Sequence, residues 1–440
     1  MDIEEFARRQ IAAGTGDAET ADRLAEHIQR IKGVDREYAL ALARAVVTEV
    51  RHSSDLAGDL FSLSPADVSM GEFGVGSRGS GDFFAHRELA RVIGRTGVAV
   101  GVDEMDDAGA VEADGRYIIC TVDGMHSRLS DFPFLAGFHV TRATLRDIYV
   151  MGARPLALIS DIHVADDGDV ARIFDYTAGI SAVSETMDVP LVTGSTLRIG
   201  GDMVLGSRMT GCVGAVGVAG HLTARKSIAP GDVLLMTEGA GGGTIATAAI
   251  YSGFPDVVEQ TINLSFLRAC EALLESDLLP RIHAMTDVTN GGLRGDVYEM
   301  TDTAGCRITV VEDQLRTLVQ PDVLAMLDRL EIDYLGVSLD ALLVVVPRED
   351  AGAVCDVVRS AGVEIKEIGY VEEGPPASIL VEGGIERDFS PAFRESAYTP
   401  VKKVVDTRTG DEEEMRRRVT AAADAAIAKK NRVKERLREA

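Results

Sequence analysis

Apolar side chains recur at helical spacing near the start of the chain, over residues 21–31 and 36–50. Glycine-containing breaks separate these stretches, so the pattern predicts a small helical unit over residues 1–68. A glycine-rich stretch, 71–81, comes next and opens into a helix predicted near residues 86–93. Composition alone suits either a flexible linker or a loop that folds over phosphates, and the helix that follows favours the loop.

Beyond residue 93, short runs of β-forming residues alternate with stretches at helical spacing. The predicted strands are 117–122, 156–164, 190–192, 203–218 (broken by glycine), 232–236, 282–288, 307–311, 341–346 and 363–371. The predicted helices are 135–150, 170–187, 243–250, 265–278, 293–303, 322–330 and 350–361. This alternation predicts an α/β (α+β) fold in which helices pack on sheets.

Breaks in the pattern divide the chain into four predicted parts: a helical extension (1–68), two domains (69–222 and 223–400) and a charged tail (401–440). The tail is acidic first and basic last, an order that complements the dipole of a solvated helix from about residue 411. Neither the helical extension nor the tail carries assignable chemistry, so each is a candidate surface for docking a protein partner.

The charge of the chain limits its partners. A net charge of -25 and a pI of about 4.7 argue against nucleic acid as a partner, because phosphate binding requires a basic surface.

Apolar runs such as 341–346 are far shorter than a membrane span, and the acidic start argues against a signal peptide. The five cysteines are scattered, which disfavours a disulfide framework and structural zinc. A cytoplasmic protein without membrane contact is expected.

Asp287 closes an apolar strand directly before a glycine turn, 289–292, and a helix that begins near Leu293. Packing explains this residue poorly, because an isolated buried charge is costly. A ligand role explains it better, since the glycines let backbone approach an anion and carboxylates bind divalent metals. Asp123 closes another apolar strand, at the carboxyl end where α/β proteins place ligands.

Asp106, Asp107 and Asp147 are weaker candidates taken singly. The aspartate pair lies between two predicted strands, where a solvated turn is an alternative explanation. Asp147 interrupts an apolar helical face, and a surface salt bridge to Arg142 or Arg146 is the alternative there. Together with the two strand-end aspartates, these residues could hold two or more divalent ions around a triphosphate, whose charge an acidic protein must neutralise locally.

Other polar motifs are less specific. Residues 239–243 resemble a phosphate loop but lack the Lys-Ser/Thr ending of a Walker motif, so a tight turn is favoured. The histidines show no metal spacing, and His126 follows Asp123 closely. The arginines that best suit phosphate contacts are Arg128, Arg142, Arg154 and Arg198.

The order of these motifs resembles one superfamily over roughly residues 70–395. Its members include selenophosphate synthetase, aminoimidazole ribonucleotide synthetase, the ATP-dependent dehydratase of hydrogenase maturation and thiamine-monophosphate kinase. The motifs that carry the resemblance are Asp106-Asp107, 121–123, 147–155, 192–196, 229–234, 285–289 and 368–369. Selenophosphate synthetase is the member it resembles most, chiefly through the Asp147 and Asp287 segments.

The resemblance implies a homodimer with an N-terminal α/β domain whose strands build a barrel across the interface, followed by a C-terminal α/β domain. It implies ATP under the glycine-rich stretch, with Mg²⁺ on Asp107, Asp147 and Asp287 and with Asp106 beside them. Asp123 would lie next to the phosphates, and Asp107 and Asp123 are the implied catalytic residues. The implied nucleotide contacts are Gly79, Gly81, Asp123, Thr193, Gly194, Ser195 and Thr196.

Two departures from the motifs of these enzymes restrict the activities expected of this chain. Selenophosphate synthetase carries a cysteine or selenocysteine and then a lysine in the glycine-rich stretch, whereas this chain has Ser80 and no lysine there. A hydroxyl cannot replace a thiolate in handling selenide, which argues against selenophosphate synthesis. The hydrogenase maturation enzyme uses a C-terminal cysteine, whereas the last cysteine here is Cys355, so that activity is not expected either.

The sequence therefore predicts a homodimeric, magnesium- and ATP-dependent enzyme that transfers the γ-phosphoryl group to a small acceptor or an amide-type oxygen. A small-metabolite kinase of the thiamine-monophosphate kinase type is one alternative. A nucleotide-binding assembly or regulatory protein without catalysis is the other.

Overall fold

The computed structural model describes residues 1–54, 56–94, 97–289, 291–395, 397–407 and 410–439. Contacts between residues group the chain into two compact units. The first unit comprises residues 1–63, 124–140 and 159–213, and the second unit comprises residues 64–123, 141–158 and 214–440. The chain passes from one unit to the other several times.

The helices are distributed along the whole chain. They are α1 (Ile3–Ala12), α2 (Asp17–Lys32), α3 (Arg36–Ser54), α4 (Met70–Phe73), α5 (Ser80–Ile93), α6 (Pro133–Val150), α7 (Ala171–Thr186), α8 (Gly243–Ser252), α9 (Pro255–Gln260), α10 (Ser265–Glu275), α11 (Gly292–Ala304), α12 (Pro321–Arg329), α13 (Ala351–Ser360), α14 (Pro400–Asp406) and α15 (Glu412–Glu439).

The strands are β1 (Gly109–Ala113), β2 (Arg116–Gly124), β3 (Arg154–Val164), β4 (Leu191–Arg198), β5 (Met209–Ala219), β6 (Asp232–Thr237), β7 (Ala284–Asp287), β8 (Arg307–Val311), β9 (Leu342–Pro347), β10 (Ile365–Glu372), β11 (Ala377–Glu382) and β12 (Ile385–Asp388). A five-stranded sheet has the order β1-β2-β5-β3-β4. A seven-stranded sheet has the order β12-β11-β8-β10-β6-β9-β7.

The N-terminal helices α1, α2 and α3 share a small apolar core in the first unit. In α2 the buried side chains follow helical spacing and include Leu24, Ala25 and Ile28. Leu205, from the loop before β5, completes this core. Each large side chain buried in this way contributes about 1.5–3 kcal/mol to the stability of the fold.

Helices α6 and α7 cross in the first unit with their backbones in contact. A Cβ atom on Gly137 would lie 2.1 Å from the carbonyl oxygen of Tyr176, and one on Gly179 would lie 2.1 Å from that of Phe134. Real Cβ atoms do not approach backbone so closely, so glycine is required on both helices at this crossing.

The seven-stranded sheet forms the core of the second unit. Every residue of β6 is buried, and β6 pairs antiparallel with β9, where Leu234 is opposite Val345. β8 and β11 pair parallel, whereas the other pairs in this sheet are antiparallel. β7 ends at Asp287, which is opposite Leu342, so the edge of a buried sheet fixes the backbone of this aspartate.

The predicted α/β fold is confirmed, and most predicted elements lie close to the observed ones. The largest errors are at three predicted boundaries. The helix predicted near 86–93 begins at Ser80, the short strand at 190–192 extends to Arg198, and the strand predicted from 203 begins at Met209 and continues through its glycines. The elements without a predicted counterpart include α1, α4, α9, α14, β1, β11 and β12.

In the described residues of one chain the five-stranded sheet is open, with β1 and β4 at its edges. The barrel across a homodimer interface therefore stays a prediction. No helix in the part of the chain that the structure describes is both long and apolar enough to cross a membrane.

Gly179→Ala should lower the free energy of unfolding by about 1–3 kcal/mol, because the added methyl group forces α6 and α7 apart. Gly352→Ala is the matched control, since Gly352 is also inside a helix but has open space around its Cβ position. That variant should gain up to about 1 kcal/mol. Urea denaturation followed by circular dichroism measures both, and equal stability of the two variants would contradict the proposed crossing.

Candidate functional site

The side chain of Arg225 lies at the centre of a buried charge network in the second unit. Its guanidinium group donates to Asp107 Oδ1 at 2.8 Å, to Glu299 Oε2 at 2.9 Å and to Thr286 Oγ1 at 2.7 Å. Its backbone N–H donates to Asp106 Oδ2 at 3.0 Å. The Arg225 side chain is only 1% exposed, so these contacts replace most of its hydration, and only Nε has no hydrogen-bond partner among the described residues.

Arg78 connects the glycine-rich stretch to the same network. Its guanidinium group pairs with Asp296 at 3.1 Å and with Glu299, both on α11. Arg78 has φ +54, a left-handed conformation that L-residues rarely adopt. Its carbonyl oxygen would lie 2.6 Å from a Cβ atom on Gly291, so the glycine-rich stretch packs directly on the turn that follows Asp287. Asn290, in that turn, lies outside the described residues.

Two arginines of α6 extend the network. Arg146 Nε lies 3.0 Å from Asp287 Oδ2, and the Arg146 guanidinium group also pairs with Asp340. Arg142 pairs with Asp340 as well and donates to the carbonyl oxygen of Gly241 at 3.0 Å. Asp340 is buried and has φ +61, so a strained backbone carries a buried charge at this point.

Burial raises the pKa values of several of these carboxyl groups. It raises the pKa of Asp106 to about 7, although the charge of Arg225 lowers it. It also raises the pKa of Asp123 to about 6, with Asp287 adding to the shift and Arg146 opposing it. The pKa of Asp147 is raised well above its ordinary value by burial and by the neighbouring aspartates.

The pKa of Asp287 is raised by burial, with Arg146 opposing the shift. Asp147 accepts a hydrogen bond of 2.7 Å from Thr121 Oγ1, which orients its carboxyl group. Asp296 also has its pKa raised well above the ordinary value by burial, although Arg78 and Arg225 lower it. The carboxyl groups therefore share a largely buried region in which each ionised group disfavours ionisation of the next.

In this network carboxyl groups outnumber guanidinium groups. The carboxyl groups belong to Asp106, Asp107, Asp123, Asp147, Asp287, Asp296, Glu299 and Asp340, and the guanidinium groups belong to Arg78, Arg142, Arg146 and Arg225. Full ionisation would leave several negative charges without a counter-ion, which is unfavourable in a buried region. The network therefore has the composition of a cation site that the protein's own arginines neutralise in part.

The carboxylate oxygens have the chemistry that a divalent cation requires. Both oxygens of Asp287, one of Asp106 and one of Asp107 are buried without a hydrogen-bond partner. Oxygens of this kind are the ligands that Mg²⁺ prefers. Within the described ranges, however, no three acidic, histidine or cysteine side chains converge on one point, so the predicted metal ligands stay a prediction.

The structure brings together the five aspartates named from the sequence, which all lie in the second unit. The predicted nucleotide contacts Thr193, Gly194, Ser195 and Thr196 lie on β4, in the first unit, and all four residues are exposed. The amide groups of the glycine-rich stretch are already bonded within the protein: Ser80 N–H donates to Ala392 O at 2.9 Å and Gly81 N–H to Phe393 O at 3.1 Å.

Sequence reasoning missed the partners of the aspartates. Arg78, Arg225, Asp296, Glu299 and Asp340 were not among the candidates. A signal existed for Asp340, because it interrupts the apolar run 337–346. Asp296 and Glu299 are three residues apart on α11, a spacing that places both on one helix face.

Comparison with a solved structure supports the fold. The hydrogenase maturation protein HypE in complex with ATP matches with a TM-score of 0.55 at 20% identity, over 71% of this chain and 96% of that chain. A likeness at this identity establishes a shared fold and nothing about the ligand.

The family is established by sequence. The model described as AIR synthase related protein, N-terminal domain, matches residues 105–219, and its C-terminal counterpart matches residues 229–382. The chain belongs to this AIR synthase-related family, in the superfamily that includes selenophosphate synthetase, as the motif order predicted.

Two relatives show how far the similarity extends. An uncharacterized protein of Methanocaldococcus jannaschii is 51% identical over 452 residues, covering 100% of this chain and 99% of that protein. Selenide, water dikinase of Myxococcus xanthus is 30% identical over 235 residues, covering 51% of this chain and 63% of that enzyme. The match to the enzyme thus spans less than two thirds of its length.

Arg225→Gln should lower the free energy of unfolding by about 3–5 kcal/mol, because it leaves buried carboxylates without their counter-ion. Arg87→Gln is the control, since Arg87 pairs with Asp302 at 2.5 Å in an exposed position. That change should cost less than about 1 kcal/mol. Urea denaturation measures both, and a small effect at Arg225 would show that the network contributes little to stability.

The metal-free wild type should lose stability relative to Asp106→Asn as the pH rises from about 4 to about 7. The folded-state pKa of Asp106, about 7, exceeds its unfolded value, so the folded protein holds an extra proton in this window and loses that advantage as the group ionises. One group contributes at most about 1.4 kcal/mol per pH unit. Denaturant titrations across this range test the prediction, and parallel profiles would refute it.

Proposed function

We propose that this chain is a magnesium-dependent, ATP-using enzyme that transfers the γ-phosphoryl group to a small acceptor or an amide-type oxygen. The observation that carries the proposal is the buried excess of carboxyl over guanidinium groups beside the glycine-rich stretch. The match to the AIR synthase-related family and the similarity to a selenide, water dikinase support the same class of chemistry.

Magnesium would be held by Asp107, Asp147 and Asp287, with Asp106 beside them. When bound, it would neutralise phosphate charge and polarise the transferred group. The oxygens of Asp106, Asp107 and Asp287 that accept no hydrogen bond from the described residues support this assignment. Binding at Asp287 would also compete with its ion pair to Arg146, whose guanidinium group could then contact a phosphate.

Asp123 is the proposed proton acceptor. Its pKa of about 6 lies close to neutral pH, so the carboxyl group can take a proton from an acceptor hydroxyl or amide and release it again. Asp107 is the other proposed catalytic residue, and its bond to Arg225 fixes its orientation. Gly79 and Gly81, together with residues 193–196, are the proposed nucleotide contacts.

The acceptor has an oxygen nucleophile in this proposal. The resemblance to selenophosphate synthetase implies that Ser80 stands where that enzyme carries a thiol, and a serine hydroxyl cannot handle selenide at neutral pH. Stable transfer of phosphate to the acceptor would make the protein a kinase, whereas release of phosphate after activation would make it a synthetase. Analysis of the products separates these two cases.

Asp287→Asn should weaken magnesium-dependent binding of a non-hydrolysable ATP analogue by at least about tenfold, or roughly 1.4 kcal/mol. The reason is the loss of a carboxylate that would bind the cation. Asp302→Asn is the control, because Asp302 lies on α11 but pairs with Arg87 in an exposed position. It should bind the analogue as the wild type does.

Calorimetric titration with and without Mg²⁺ measures these affinities. No binding by well-folded wild-type protein would overturn the proposal and favour the assembly or regulatory alternative. Equal weakening in both variants would show that Asp287 has no special role in holding the metal.

A further inference from the structure

The glycine-rich stretch is covered by the C-terminal part of the chain in the second unit. We define the C-terminal strap as residues 389–395 together with helix α15. A Cβ atom on Gly79 would lie 2.5 Å from the carbonyl oxygens of Ala392 and Phe393, and one on Gly81 would lie 2.9 Å from the Phe393 ring. The strap thus packs against bare backbone, at positions where a side chain would exclude it.

The strap uses the donors of the α5 N-terminus. Gly79, the N-cap residue of α5, has no side chain to accept from the first turn. The carbonyl oxygens of Ala392 and Phe393 instead accept from Ser80 N–H at 2.9 Å and from Gly81 N–H at 3.1 Å. Without the strap these amides would be free to bind an anion, because helix N-termini favour negative charge. They cannot bond a phosphate while the strap is in place.

Arg416 of α15 contacts both α5 and the strap residues that cover its N-terminus. Its Nη2 donates to Ser80 Oγ at 3.0 Å. Its guanidinium group lies 5.4 Å from the centre of the Phe84 ring and 5.5 Å from that of Phe393. One cation therefore contacts the first turn of α5, the next turn of the same helix, and the strap residue whose carbonyl holds Gly81.

Further contacts hold α15 alongside α5 as far as the C-terminal end of α5. Thr420 Oγ1 lies 3.3 Å from Glu88 Oε1, and Arg91 pairs with Asp424 at 2.6 Å. Lys430 donates to the carbonyl oxygen of Val92 near the end of α5. These contacts advance in the same direction along both helices, so α15 runs parallel to α5 and contacts it from Arg416 to Lys430.

We propose that the C-terminal strap and the nucleotide phosphates compete for the Ser80 and Gly81 amides, so that the tail is an autoinhibitory element that must release before ATP is held. The inference rests on the proposed function. The strap residues and α15 lie outside the matched family domains, which end at residue 382.

If the strap and the nucleotide compete, a change that weakens the strap should increase the affinity for nucleotide. If only a fraction of molecules is open, the apparent Kd equals the intrinsic Kd divided by that fraction. Arg416→Gln removes the guanidinium contacts and leaves the α5 sequence intact. It should lower the Kd for the magnesium complex of a non-hydrolysable ATP analogue about fivefold.

Two measurements on the full-length protein test this. Calorimetry gives the Kd, and hydrogen–deuterium exchange followed by mass spectrometry reports the opening of residues 79–81. Arg417→Gln is the matched control, because Arg417 is adjacent on α15 and pairs with Glu414 in an exposed position. Arg416→Gln should exchange faster and bind more tightly than the wild type, whereas Arg417→Gln should match the wild type in both.

The outcomes separate this inference from the proposed function. Wild-type protein that binds the analogue, with an Arg416→Gln variant that binds equally or more weakly, would overturn the competition and leave the function standing. Faster exchange in Arg416→Gln without nucleotide binding by any variant would overturn the proposed function, and the competition with it. If Arg416→Gln bound the analogue more tightly but hydrogen exchange at residues 79–81 were unchanged, release of the strap could not be the cause of the tighter binding.

Discussion

The guanidinium group of Arg225 is the contact on which the second unit most depends. It joins the loop before β1, strand β7 and helix α11 through Asp107, Thr286 and Glu299, which are far apart in sequence. Such a group recovers the cost of its burial only through near-complete hydrogen bonding. Lysine could not replace it, because an ammonium group lacks the planar fork that reaches several oxygens at once. A surplus of carboxyl groups remains after this pairing.

Much of the fold could be predicted because it depends on local pattern. The apolar strands and helical stretches of the second unit are long and regular, and their positions were predicted closely. The start of α5 was wrong because glycine weakens a helix prediction, whereas here Gly81 is helical and is held by contacts with Phe393. The continuity of β5 was missed for the same reason. Tertiary contacts stabilised both elements against local preference.

The site was predicted in part. Asp123 and Asp287 were found because each closes an apolar strand, where packing cannot explain a charge. Arg78 and Asp340 were not found, since their importance comes from partners distant in sequence, and no local spacing encodes that pairing. Their positive φ values are likewise visible only in three dimensions. The roles of the aspartates still depend on family resemblance together with charge.

The crossing of α6 and α7 has a consequence for how the sequence can evolve. Gly137 makes room for the α7 backbone and Gly179 for the α6 backbone, so the two positions satisfy one steric condition together. A change at either position moves both helices, and a second change elsewhere cannot restore the contact, because backbone and not a side chain occupies the space. Single substitutions at either glycine are therefore not tolerated while the helices cross in this way. Homologues that diverge elsewhere should keep glycine at both positions or pack these helices differently.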